Sequence, residues 1–62
     1  MPPSGFERNL HRIEMKLAII RRIAKKEGFT ARDVEEVRAA FEDIRDRAEI
    51  ERRRFREVLR SK

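Results

Sequence analysis

The sequence predicts an all-α fold, an antiparallel two-helix hairpin that dimerises into a four-helix bundle, and three observations carry that expectation. Glycine occurs only at positions 5 and 28 and proline only at 2 and 3, so two long stretches contain no helix breaker. Within each stretch apolar residues recur at alternating steps of three and four, the period of one helix face. The chain has 62 residues and no cysteine, so one hairpin seam would stand without a disulfide or a thiolate-bound metal, and a second layer is needed.

Residues 1–5 read as a flexible leader. The first helix is expected over 6–27, with Phe6, Leu10, Ile13, Leu17, Ile20 and Ala24 on one stripe. Residues 28–30 form the turn. Gly28 suits the left-handed position past a helix end, Lys25 and Lys26 complement the negative end of the dipole, and Phe29 can fold back on the last turn. Thr30 is placed to cap the second helix by accepting from the backbone N–H of Asp33, with Asp33, Glu35 and Glu36 against its positive end. That helix is expected over 31–60 on Val34, Val37, Phe41, Ile44, Ala48, Glu51, Phe55 and Val58. Glu51 is the one acidic intruder.

Pairing residues whose numbers total 61 sets Ala24 by Val37, Ile20 by Phe41, Leu17 by Ile44, Ile13 by Ala48 and Phe6 by Phe55. Glu51 then lies opposite Leu10, partly exposed and within reach of Arg8 or Arg54, because an unpaired buried carboxylate is too costly. A register about one turn shorter serves nearly as well. Helix 1 carries a second apolar row, Met15, Ile19 and Ile23, and Ile50 lies off the main stripe of helix 2. These four residues are the expected interface with a second copy or another protein.

Charge is segregated along the chain. Residues 6–27 hold seven basic and three acidic side chains, residues 28–51 four basic and eight acidic, and residues 52–62 six basic and one acidic. A hairpin lays the basic first helix on the acidic second one and leaves the open end uncompensated. There Arg8 and Arg12 come near Arg52, Arg53, Arg54, Arg56, Arg60 and Lys62, the footprint of a protein that binds phosphate backbones. The expected function is a small basic regulatory or architectural protein that binds nucleic acid through this end as a homodimer. The alternative is a non-catalytic protein-interaction module, an adaptor, assembly factor or inhibitor, using the Met15, Ile19 and Ile23 row. No exposed aromatic interleaves the arginines, so base stacking on single strands is not expected.

The stretch from Ile20 to Val37 resembles the helix-turn-helix DNA-binding motif: Ala24 is its small residue, Gly28 follows four later, then Phe29, the cap Thr30, and apolar Val34 and Val37. The resemblance covers 18 residues and implies that Thr30, Ala31, Arg32, Glu35, Glu36 and Ala39 face the major groove.

Catalysis is not expected, nor a cofactor or metal. His11 is the only histidine; Glu7, His11 and Glu14 share a helix face that reads as solvated charge. No glycine-rich loop exists to cradle a nucleotide, and a hairpin has no deep cleft. The longest apolar run, residues 17–20, is too short for a membrane span or a signal-peptide core, so the chain is expected in the cytoplasm. Two apolar faces on helix 1 favour protein over lipid on both sides.

Overall fold

The computed structural model describes residues 5–61, which form two helices and no strand. α1 spans Phe6–Ala24 and α2 spans Ala31–Arg60. They pack side by side in opposite directions, giving a rod of 50 × 15 × 13 Å. No helix of the described residues is long and apolar enough to cross a membrane. Of the expected leader only Gly5 is described, and it is the N-cap of α1, at φ 84°.

α1 stops three residues short of the expected end at residue 27. The backbone N–H of Lys26 turns back to the carbonyl of Ile23 at 3.0 Å, a tighter bond than the helical one, and the Lys26 ammonium reaches forward to Asp33. Gly28 is left-handed, at φ 91°, as the turn requires. Thr30 caps α2 through a reciprocal pair: its Oγ1 accepts from the Asp33 N–H at 3.1 Å, and Asp33 Oδ2 accepts from the Thr30 N–H at 3.0 Å.

Asp33 also receives two hydrogen bonds from Lys26 Nζ, at 2.8 and 3.0 Å. This ammonium, and then the backbone N–H of Thr30, hold the Asp33 carboxyl at about 2, below its ordinary 3.8. A carboxyl depressed on folding contributes stability that is complete above its unfolded value and disappears as pH falls through its folded value. The stability gap between the wild type and Asp33→Asn should therefore close as pH falls from 3.8 to about 2. Urea denaturation at a series of acidic pH values checks this; a gap independent of pH would show that folding does not depress the Asp33 carboxyl.

The helices meet along a seam turned from the expected one. On α1 it runs through Phe6, Asn9, Ile13, Lys16, Ile20 and Ile23, all buried or half-buried. On α2 it runs through Asp33, Val37, Ala40, Ile44, Arg47, Glu51, Arg54 and Val58. Relative to the apolar stripes each helix is rotated by about 50°. Leu10, Ala24, Val34, Phe41, Ala48 and Phe55 are consequently exposed, with Leu17 half-buried. The only buried apolar side chains among the described residues are Ile23 and Ala40, each 3% exposed.

The physical reason lies in the width of the stripes. Each stripe is broader than one seam, and turning it sideways lets Asn9, Arg47, Glu51 and Arg54 satisfy one another between the helices. In an antiparallel pair the two displaced rows emerge on the same side of the rod. The expected contact of Phe6 with Phe55 is present at that side, edge-to-face with ring centroids 5.0 Å apart and planes at 82°.

Candidate nucleic-acid interface

The open end is organised around Glu51. It is 7% exposed, lies opposite Asn9 rather than Leu10, and is paired. Asn9 Nδ2 donates to Glu51 Oε2 and, at 3.1 Å, to the backbone carbonyl of Arg47. Arg47 Nη1 returns a bond to Asn9 Oδ1 at 2.8 Å, and Arg47 Nε donates to Asp43 at 3.0 Å. Arg54 Nη1 reaches Glu51 Oε2 at 3.1 Å. Among the described residues no buried side-chain nitrogen or oxygen lacks a partner. The arginine partner was expected and the burial was not, because neither Asn9 nor Arg47 belongs to the apolar stripes from which the seam was drawn. A signal was there: continuing the spacing Phe6, Asn9, Ile13 to Lys16, Ile20 and Ile23 gives a second heptad frame, with an asparagine of the kind that fixes register.

Around this network the arginines are distributed unequally. Gly5, Arg8, Asn9, Arg12, Arg47, Ile50 and Arg54 line a shallow cavity at the open end. Gly5 matters to its shape, since a Cβ there would meet Arg54 Nη1 at 3.2 Å. Arg8, Arg12 and Arg56 are exposed and make no ion pair among the described residues. Arg52 and Arg53 are exposed and share Glu49 at 3.6 and 3.5 Å; Arg60 stands 3.7 Å from Glu57. Arg54 departs from the expectation of a surface residue, for it is half-buried in the seam against Glu51. Lys62 lies outside the described residues.

The four residues expected to meet a partner do not form one surface. Met15 is 57% exposed and Ile50 is exposed, whereas Ile19 is half-buried and Ile23 is inside the hairpin. Ile23 occupies the seam because it continues the frame of Ile13, Ile20 and Asn9, and its relation to Ile19 is only a shared helix side. Met15 and Ile19 instead edge a depression with Arg12, Lys16, Asp43 and Arg47. Among the described residues no group of His, Asp and Glu side chains is gathered closely enough to hold a metal ion.

No protein-family model, no curated protein and no solved structure matches the chain.

Proposed function

We propose that the protein is a small, non-catalytic nucleic-acid-binding protein, regulatory or architectural, which engages phosphate backbones through the basic open end of a dimeric hairpin. One observation carries this reading: the contact of Phe6 with Phe55 brings Arg8 and Arg12 to the end where residues 52–62 hold their five surplus positive charges. That surplus equals the net charge of the whole chain, +5, so the remainder is neutral in sum. Field lines for a polyanion converge on one end of a 50 Å rod.

Arg8, Arg12 and Arg56 are the first contacts, having no ion pair to leave among the described residues. The pairs of Arg52, Arg53 and Arg60 are exposed, and such pairs hold by about 0.2–1 kcal/mol, so a phosphate displaces the glutamate readily. Binding of this kind positions the protein on a backbone without reading bases.

Changing Arg53, Arg56 and Arg60 together to Glu tests the reading, since all three are exposed and off the seam. Affinity for duplex DNA or structured RNA at low salt should fall at least about tenfold, and the wild-type affinity should decline steeply with salt. Helix content should not change. The same substitution at Arg32 and Arg38, beside the turn, should matter little; under the helix-turn-helix resemblance Arg32 is a groove contact and its loss would dominate instead. Equal affinities for all these variants would end the nucleic-acid reading in favour of a protein-interaction module.

A further inference from the structure

The rotation of the helices leaves one whole side of the rod apolar. Val34, Phe41, Ala48 and Phe55, spaced by seven on α2, and Leu10, Leu17 and Ala24 on α1 flank the seam on the same side. Val34 and Phe41 are 52% and 54% exposed, and near the turn they border an apolar groove with Ile23, Phe29 and Val37. The opposite side of the rod carries Arg12 and Ile19 on α1, Lys26 just beyond it, and Glu36, Asp43, Ile50 and Glu57 on α2 at the equivalent positions, where charged residues outnumber apolar ones.

We propose that this face is the interface between two copies of the chain, stacked about a two-fold axis parallel to the rod, so that α1 of each copy covers α2 of the other. The proposal rests on the dimeric part of the reading above and is independent of its nucleic-acid part. Core size, helix length and charge commit the face to a second copy. A hairpin whose buried apolar side chains among the described residues are only Ile23 and Ala40 is under-supported from the moment it folds, and the one partner always present is another copy. The apolar rows match the length of α1, 19 residues or about 28 Å, so α1 of one copy is long enough to cover nearly the whole row on α2 of the other. Charge complementarity also favours a second copy.

Along the outer edge of the apolar face α1 presents Glu7, Glu14 and Arg21, and α2 presents Arg38, Arg45 and Arg52. Within the hairpin, residues at equal height have numbers totalling 59 or 60: Lys26 bonds Asp33, and Asn9 bonds Glu51. An axis along the rod keeps these heights, so Glu7 faces Arg52 of the other copy and Glu14 faces Arg45. Glu7 and Glu14 have no ion pair of their own among the described residues. The remaining pair, Arg21 with Arg38, is like-charged, and Glu35 and Glu42 flank Arg38 on its helix. A two-fold axis across the rod would instead stack the arginine row of α2 on its own copy in every register. Charge therefore selects the lengthwise axis, which sets both turns at one end and both basic ends at the other.

Sedimentation equilibrium of the full chain at micromolar concentrations tests the proposal. The wild type should be a dimer, and Phe41→Glu should weaken it by more than about a hundredfold while helix content persists, because Phe41 is half-exposed in the hairpin. Should Phe41→Glu unfold the chain, the surface variants decide. Glu14→Arg or Arg45→Glu alone should weaken the dimer about three- to tenfold, and the two together should restore it. A cooperatively folded wild-type monomer overturns the proposal and leaves the face to a different protein. A dimer lost through Met15→Glu but not through Phe41→Glu, or one the double exchange fails to restore, overturns it as well. Loss of nucleic-acid binding in the Arg53, Arg56 and Arg60 variant leaves these outcomes untouched, since those residues lie away from the face.

Discussion

Ile23→Ala is expected to remove about 2–5 kcal/mol, the range for truncating a buried isoleucine with partial collapse of the cavity. Ile23 is one of only two buried apolar side chains among the described residues. A fold of this size holds only a few kcal/mol from its core, so the variant should be largely unfolded at room temperature. Urea denaturation followed by circular dichroism at one fixed protein concentration measures the loss, because any self-association makes apparent stability depend on concentration. Met15→Ala, made at an exposed site of the same helix, should change stability by less than about 0.5 kcal/mol. Similar losses in the two variants would mean that Ile23 is not in the seam.

Glu51→Leu should cost about 2–3 kcal/mol, where periodicity alone suggests that an apolar residue improves the stripe. The carboxylate lies between Asn9 and Arg54. Its removal leaves the buried amide of Asn9 short of a partner. Replacing both, Asn9→Leu with Glu51→Leu, should recover most of the loss, since two apolar residues then meet across the seam. The coupling in the double-mutant cycle separates the polar contact from simple burial. Additive losses would show that the two side chains act independently.

Much of the hairpin was legible in the sequence, and the part that was not has a definite physical origin. Gly28, Thr30 and Asp33 announce the turn through local chemistry, and that chemistry is present as a left-handed glycine and a reciprocal pair of hydrogen bonds. Phe6 and Phe55 meet because the two heptad series are long enough to fix their relative height. The rotation was hidden, since Phe6, Ile13, Ile20, Val37 and Ile44 belong to both the apolar stripe and the seam. Choosing between them depends on contacts between residues 38 or 42 positions apart, such as Asn9 with Arg47 and Glu51. Ile23 was grouped with Met15 and Ile19 by spacing, although its membership of the other frame governs its burial. At the open end, composition announced the cluster of arginines but not that Arg54 turns inward.

The two ends of the seam differ in kind. Ile23 and Ala40 lie in the third nearest the turn, whereas Asn9, Glu51 and Arg54 hold the other end. Closing the short turn between α1 and α2 forfeits little chain entropy, so pairing begins beside Thr30 and travels outward. Amide exchange would accordingly be slowest near Ile23 and Ala40 and quicken towards Phe6 and Val58. The arginines that would meet a polyanion ride on the part of the molecule that closes last and opens first, so engaging one would also act as a clasp, holding together the end that breathes.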